Sequence, residues 1–181
     1  MNKLKFLSKR TILIALAVIV FLAVSYAVVQ KVRSNATTSK NGVYSKIVKV
    51  NQSFEFAAKD ERGNGTDKKV KMTLVTAEQT NSILVKGKKL KAKSDKMFTI
   101  VLLEIENPHQ ERLTLAPFEL MRLIDSQGKI FAPDVHNAVV TLQPISTKRD
   151  RVGFLLDSKE KTVKLQIGEI TGDKKVIQVK F

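Results

Sequence analysis

Lysine is the residue type whose spacing in this sequence most clearly suggests a binding chemistry. Six lysines occur within the eleven residues 86–96, and Asp95 is the one acidic residue among them. Grouped ammonium groups attract phosphate and carboxylate ligands, and salt weakens such binding by screening the charges. We therefore predict an anion-binding site, to which Lys68, Lys69 and Lys71 could contribute. The predicted site residues are Lys86, Lys88, Lys89, Lys91, Lys93 and Lys96.

The alternative interpretation of residues 86–96 is a solvated loop between two strands, and the sequence leaves both open. Nucleic acid is not an expected ligand of this segment. No aromatic residue interrupts the lysines, and single-stranded nucleic acid is usually held by bases stacked on aromatic rings.

Residues that support catalysis or metal binding are sparse. Cysteine is absent, which excludes thiol nucleophiles, zinc–thiolate sites and iron–sulfur clusters. His109 and His136 are the only histidines, and they lack the spacing of a zinc site or a catalytic triad. Glu104, Glu106 and Asp125 could pair as catalytic acids, but salt bridges with the abundant lysines are the simpler expectation. We therefore expect no enzyme activity, no metal and no cofactor.

Residues 60–67 have some of the features of a calcium-binding loop. Arg62 occupies the position of the third ligand, however, and Lys71 stands where the closing glutamate belongs. The segment is therefore predicted to be a polar hairpin loop.

The elements that must position these residues are β-strands, because apolar and polar residues alternate from Ile47 onward. The stretch 97–106 is apolar on both faces for most of its length, which predicts a buried central strand that ends at Asn107. A helix is suggested only for residues 134–142. Turns are predicted at residues 125–128 and 172–173. Seven to nine strands in an antiparallel β-sandwich are expected; the clearest segments are 48–56, 70–76, 97–106, 118–124, 129–132, 151–156, 162–167 and 175–181.

Residues 11–29 form an uncharged apolar run. As a helix this run would be about 28 Å long, which matches the hydrocarbon core of a bilayer. Basic residues at 1–10 place the N-terminus in the cytoplasm and everything after the run outside. We predict a cytoplasmic flank at 1–10, a transmembrane anchor at 11–29, a flexible stalk at 30–44 and a folded domain at 45–181. A cleaved signal peptide is the alternative, and it would leave the domain secreted.

The part of the chain after residue 10 is strongly basic. It contains 28 basic and 17 acidic residues, since all the acidic residues and all but four of the basic ones lie there. A positive field of this kind attracts anionic partners. A lysine-rich surface that serves only solubility would give the same count.

Residues 97–154 resemble a known bacterial family. An alternating strand that ends at Asn107 is followed by the hairpin sequence 123–133, then by Leu142-Gln-Pro144 and Gly153-Phe154. This pattern is similar to extracytoplasmic immunoglobulin-like domains of unknown function that include the mycobacterial immunoprotective extracellular antigen. The resemblance spans roughly residues 47–181. It departs at Met121, where the family usually has an aromatic residue, and at Ile145, where it usually has glycine. It implies an immunoglobulin-like β-sandwich outside the membrane and no known reaction.

Together these features predict a membrane-anchored, extracytoplasmic binding or structural module of the cell envelope. The expected partners are the lipid bilayer, through residues 11–29, and an anionic wall polymer, lipid head groups or an envelope protein. Two alternatives remain at this point: a subunit of a larger envelope complex, and an envelope hydrolase.

Overall fold

The computed structural model describes residues 44–181, and the regular secondary structure of this part of the chain consists of β-strands. The predicted segments 1–10 and 11–29, and the predicted stalk 30–44 except for Tyr44, lie outside the described residues. Within 44–181 there is no helix with the length and apolar character needed to cross a bilayer. The strands are β1 (Ser45–Lys59), β2 (Gly65–Thr80), β3 (Ser82–Val85), β4 (Lys88–Lys91), β5 (Lys96–Asn107), β6 (Leu113–Leu115), β7 (Met121–Ile124), β8 (Ile130–Phe131), β9 (Val140–Leu142), β10 (Ser146–Asp157), β11 (Thr162–Ile167) and β12 (Lys175–Lys180).

The strands form two main antiparallel sheets and one separate hairpin. The larger sheet has six strands in the order β10-β5-β2-β1-β6-β9, and the smaller has four in the order β12-β11-β7-β8. Strands β3 and β4 pair only with each other. The predicted central strand, β5, is hydrogen-bonded to β2 on one side and to β10 on the other. The prediction of an all-β antiparallel sandwich is therefore confirmed.

One hydrophobic core joins the two sheets. Alternate residues of β5 and β10, such as Leu103 and Phe154, point into it from the larger sheet, and Leu123 and Leu165 point into it from the smaller one. All four side chains are completely buried. Burial of this apolar area is the main stabilising term in a chain that has no disulfide bonds. The outward-facing residues of the same strands, such as Glu104, meet solvent on the other face.

A β-bulge in β2 changes which of its residues face the core. Leu74 pairs with Leu103 and Thr76 pairs with Leu102, so Val75 is an extra residue relative to β5. An extra residue reverses the alternation beyond it. Before the bulge the buried residues have even numbers, as at Leu74; beyond it Ala77 and Gln79 are buried. Strict alternation along the predicted strand 70–76 would place Thr76 on the same face as Leu74, and it fails there for this reason.

The helix suggested for residues 134–142 is wrong. Residues 134–135 instead lie extended beside the exposed edge of β10: the Gly153 carbonyl accepts hydrogen bonds from the amides of Asp134 (2.8 Å) and Val135 (3.1 Å). The Gly153 amide donates to the Val135 carbonyl at 2.7 Å. The Asp134 carboxylate accepts from the amide of Leu155 at 2.7 Å. Because unpaired edge strands invite aggregation, this edge contact protects the sheet. Residues 140–142 then form β9.

Three local predictions are confirmed. The turn at 125–128 forms, with Gly128 at φ 83° and the Asp125 amide hydrogen-bonded to the Lys129 carbonyl. Strand β5 ends at Asn107. The side chain of Phe131 packs against the core, as expected for the residue before the strand-ending Ala132-Pro133. The strand predicted at 118–124 is shorter, since a turn occupies residues 116–120 and β7 begins at Met121.

Candidate functional site

The predicted lysine site lies mainly on the hairpin of β3 and β4, which we call the basic hairpin (residues 82–91). Ser82 pairs with Lys91 and Val85 with Lys88. The connecting residues Lys86 and Gly87 have φ angles of 47° and 76°. Positive φ at both central residues is the geometry of a two-residue type I′ turn. The segment 82–91 is therefore an ordered hairpin with its own ladder of backbone hydrogen bonds, and both interpretations of its exposed lysines, an anion site and a solvated connection, stay predictions.

Five of the six predicted lysines are exposed, and Lys96 is half-buried. The register separates them into two groups. Lys86, Lys88 and Lys89 occupy the tip of the basic hairpin. Lys91, Lys93 and Lys96 lie at its base, where the chain passes into β5. The lysines therefore form a tip group and a base group, which can contact different parts of a ligand.

Salt bridges are concentrated at the opposite end of the sandwich. Among residues 44–181 there are four salt bridges, and none involves a lysine of the tip group or the base group. The four pairs are Lys68–Glu111, Lys71–Glu106, Arg112–Glu61 and Arg149–Glu104. The positive charge of the basic hairpin is therefore left for a ligand or for solvent, whereas part of the charge at the other end is paired within the protein.

The suggested contribution of Lys68, Lys69 and Lys71 to the anion site is wrong. These residues lie near the start of β2, whereas the basic hairpin follows its end at Thr80. Nine residues of extended strand separate Lys71 from Thr80, a distance of roughly 30 Å. Lys71 moreover pairs with Glu106 at 3.1 Å.

The base group lines a groove that we call the basic groove, with a volume of about 340 Å³. The groove also contains residues that are distant in sequence, and the side chains of its described lining include no carboxylate. Lys161 and Ser158 come from the connection between β10 and β11, and Tyr44 precedes β1. Sequence analysis missed these three residues, because no local pattern marks a lysine 65 positions away as a neighbour of Lys96. The polar lining that matters here is Tyr44, Lys91, Lys93, Lys96, Ser158 and Lys161.

Backbone hydrogen bonds hold the walls of the basic groove together. The Tyr44 amide donates to the side-chain oxygen of Asn81 at 3.1 Å, and the Asn81 amide donates to the Tyr44 carbonyl at 3.2 Å. The Asn81 carbonyl accepts from the amide of Ala92 at 2.9 Å, which fixes the base of the hairpin. The amide of Ser158 donates to the Asp95 carbonyl at 2.8 Å. The groove is therefore largely formed before any ligand arrives, which lowers the entropic cost of binding.

The candidate catalytic acids do not come together. Glu104 pairs with Arg149 at 2.8 Å and Glu106 with Lys71 at 3.1 Å. The Asp125 carboxylate accepts hydrogen bonds from two amides of its own turn. The expected salt bridge with lysine is confirmed at Glu106, whereas Glu104 pairs with an arginine and Asp125 with backbone amides.

The two histidines make unrelated contacts. The ring of His109 contacts the Lys69 carbonyl at 2.8 Å, whereas His136 stacks on Phe118 with ring centroids 4.3 Å apart. No group of three or more potential metal-ligating side chains occurs within the part of the chain that the structure describes.

The segment with features of a calcium-binding loop, residues 60–67, begins in the connection from β1 to β2. The carboxylate of Asp60 is hydrogen-bonded within this connection. The Asp60 carboxylate accepts from the amides of Arg62 (2.9 Å) and Asn64 (2.8 Å) and from the Asn64 side-chain amide (2.9 Å). The Asn64 hydrogen bonds, the side-chain one first, lower the pKa of Asp60 below its ordinary value of 3.8. The prediction of a polar hairpin loop is confirmed.

This hydrogen bonding predicts a pH-dependent contribution to stability. Because the pKa of Asp60 is lower in the folded protein than in the unfolded chain, this carboxylate stabilises the fold fully at pH values above the unfolded pKa of 3.8. The stabilisation is lost as the pH falls through the lower pKa of the folded state. We expect Asp60→Ala to lower the melting temperature at about pH 7. The difference in melting temperature between the variant and the unmodified protein should narrow below pH 3.8. Thermal unfolding by circular dichroism across this range measures the gap. A gap that stays constant would contradict the assignment.

Comparison with known proteins relates the chain to solved structures. No protein-family model and no curated protein matches it. A crystal structure of a conserved hypothetical protein from Bacillus anthracis is 18% identical over 74% of this chain and 96% of that chain, with a TM-score of 0.51. A second, an uncharacterized β-sandwich protein from Clostridium difficile, is 18% identical over 64% of this chain and 87% of that chain, with a TM-score of 0.45. At this level of identity the first likeness speaks for the fold alone: this chain is similar to the Bacillus anthracis protein in its all-β antiparallel sandwich architecture.

Proposed function

We propose that this protein is a membrane-anchored binding module of the cell envelope. Residues 11–29 serve as the anchor in the cytoplasmic membrane, and the β-sandwich is presented outside the cytoplasm. In this proposal the sandwich is immunoglobulin-like, in keeping with the resemblance of residues 97–154 to the family described above. The partner is a phosphate-rich anionic surface, either envelope polymer or lipid head groups. The role is binding and not catalysis.

The observation that carries this proposal is the unpaired positive charge of the basic hairpin. Lysine is a strongly hydrated point charge that suits multiple non-specific contacts with phosphates. Three such lysines at the tip project from a hairpin whose backbone is already ordered. Leu84, on the same hairpin, is 75% exposed. An exposed leucine among lysines is also the combination that favours the interface of an anionic membrane.

The base of the hairpin lies close to the first described residue of the sandwich. The base lysines and Tyr44 both line the basic groove. The tip is separate from this groove, since Lys86 lines a second groove together with Glu78 and Arg151.

A binding experiment with a charge-reversed hairpin tip tests the proposal. We expect the full chain, held in a neutral detergent, to bind soluble poly(glycerol phosphate), with affinity that falls steeply between about 50 and 500 mM salt. The variant Lys86→Glu/Lys88→Glu/Lys89→Glu should bind roughly tenfold to a hundredfold more weakly, because each basic residue at such a surface contributes about 1 kcal/mol. Isothermal titration calorimetry at several salt concentrations gives both quantities.

The matched control changes the net charge equally at sites away from the hairpin. Lys59, Lys69 and Lys164 are exposed and belong to β1, β2 and β11. Their replacement by glutamate should reduce affinity much less than the tip variant, since only the general field changes. Equal losses in the two variants would show that the hairpin is not the binding surface, and undiminished binding by the tip variant would remove it from the function.

A further inference from the structure

The basic groove differs from the hairpin tip because lysines from two separate segments of the chain line one open groove. Lys91, Lys93 and Lys96 approach from the base of the hairpin, and Lys161 approaches from the connection after β10. Positive charges held close together repel one another, so an arrangement of this kind is stabilised when an anion occupies it. The tip lysines Lys86, Lys88 and Lys89 do not line this groove.

The acidic residues nearest to the groove in sequence are mostly engaged elsewhere. The Glu160 carboxylate accepts hydrogen bonds from the amide (3.1 Å) and hydroxyl (2.8 Å) of Ser126, in the turn between β7 and β8. The Asp157 carboxylate accepts from the amide of Lys159 at 2.9 Å. Asp95 is the remaining acid; its side chain is exposed and does not line the groove. None of these three carboxylates lines the groove, so the four lysines are the charged side chains of its described lining.

Neutral polar groups accompany the charges. Ser94, Ser158 and Tyr44 bring side-chain hydroxyls to the lining, which can donate to and accept from a ligand hydroxyl. Lys161 already donates to the Ser158 carbonyl at 3.2 Å, which positions its ammonium group at the groove. The volume of about 340 Å³ corresponds to roughly eleven water molecules. That space exceeds the needs of a single phosphate ion and suits a phosphate ester with a short polyol.

We propose that the basic groove is a binding site for a glycerophosphate group. The phosphate lies among Lys91, Lys93, Lys96 and Lys161, and the polyol hydroxyls contact the serine and tyrosine side chains. This inference rests on the proposed function and assigns its ligand class: glycerophosphate is the unit shared by the head group of an anionic phospholipid and by a polyol-phosphate polymer. The hairpin tip supplies long-range attraction, and the groove supplies the specific contact.

The first test uses sn-glycerol 3-phosphate and the full chain in a neutral detergent. We expect saturable binding in a calorimetric titration, and about a tenfold loss of affinity in Lys96→Met/Lys161→Met, which removes two charges while keeping much of each side chain's length. The control Lys59→Met/Lys164→Met removes two exposed lysines elsewhere and should bind like the unmodified protein. No saturable binding, or equal binding by all three proteins, would overturn the proposal.

The second test needs no substitution and so does not depend on variant folding. Acylation of lysines, read by mass spectrometry, should slow at Lys96 and Lys161 when ligand is present and stay unchanged at Lys59 and Lys164. If acylation of Lys96 and Lys161 is slower in nanodiscs of anionic phospholipid than in nanodiscs of zwitterionic phosphatidylcholine, the glycerophosphate ligand is the lipid head group. Slowing only with soluble poly(glycerol phosphate) identifies the polymer. Unchanged acylation of the groove lysines in both arms would overturn the proposal.

The two proposals fail in distinguishable ways. If the tip variant loses salt-dependent polymer binding while Lys96→Met/Lys161→Met retains glycerol phosphate affinity, the binding function stands and the groove assignment falls. If the tip variant keeps its affinity for the polymer and Lys96→Met/Lys161→Met loses affinity for glycerol phosphate, the assignment of the groove is supported. The proposed role of the hairpin tip is then wrong.

Discussion

Replacing Phe154 with alanine is expected to lower the free energy of unfolding by about 3–5 kcal/mol. Phe154 lies on β10, pairs with Thr99 of β5 and is 0% exposed within the core between the sheets. Truncation removes the buried ring and leaves a cavity, because strands held by hydrogen-bonded ladders cannot collapse fully into the space. Urea unfolding of the full chain in neutral detergent, followed by the β-sheet signal in circular dichroism, measures the change.

The next residue supplies the control for Phe154→Ala. Leu155 occupies the same strand but faces outward and is 36% exposed. Leu155→Ala should therefore cost less, about 1–2 kcal/mol, since part of the side chain is already in water and its truncation leaves no closed cavity. Similar losses for the two variants would mean that the inward and outward faces of β10 are wrongly assigned.

Replacing Gly168 with alanine is the second change with a large expected effect, about 3 kcal/mol or more of destabilisation. Gly168 follows β11 and has a φ of 152°, a backbone conformation that residues with a side chain rarely adopt. A Cβ atom there would lie 2.4 Å from the Asp173 carbonyl oxygen and 3.1 Å from the Lys174 Cα. Both neighbours are backbone atoms, so relief requires the β11–β12 connection to move. The same unfolding experiment measures the loss.

Gly65 provides the matched control for this position. It begins β2, and a Cβ atom built on it meets nothing within 4 Å. Gly65→Ala should change stability by less than about 1 kcal/mol, because the substitution mainly reduces the freedom of the unfolded chain. If Gly168→Ala is as mild as Gly65→Ala, the close approach of the backbone at residues 168–174 does not constrain the fold.

The distribution of charge connects this fold to the proposed binding role. At one end of the sandwich lysines and arginines pair with glutamates, as in Lys71–Glu106 and Arg112–Glu61. At the other end the lysines of the basic hairpin and the basic groove are without salt-bridge partners among the described residues. Exposed lysines without a salt bridge also occur elsewhere on the domain, as at Lys59 and Lys164, so the hairpin and the groove differ in the density of their lysines along the chain and not in lacking partners.

The class of fold was predictable from sequence because the strands alternate in polarity over long stretches. Residues 162–167 follow that pattern, and residues 97–106 form a mostly apolar run typical of a central strand; the observed bounds of both strands agree closely with the prediction. The turn at Gly128 was predictable for a related reason, since glycine adopts positive φ without strain. The basic hairpin was missed as a hairpin, because its turn is Lys86-Gly87 rather than the more usual Asn-Gly or Asp-Gly.

Sequence alone therefore determined where the longer strands lie, where lysine is dense, and that residues 11–29 form an apolar run suited to a bilayer. These properties depend on residues close together in the chain. Only the tertiary structure decided the bulge at Val75, the edge position of Asp134 and Val135, and the meeting of Lys96 with Lys161 in one groove. The reason is that strand pairing satisfies backbone hydrogen bonds and core burial across the whole chain at once, so the neighbours of a residue depend on register between distant segments.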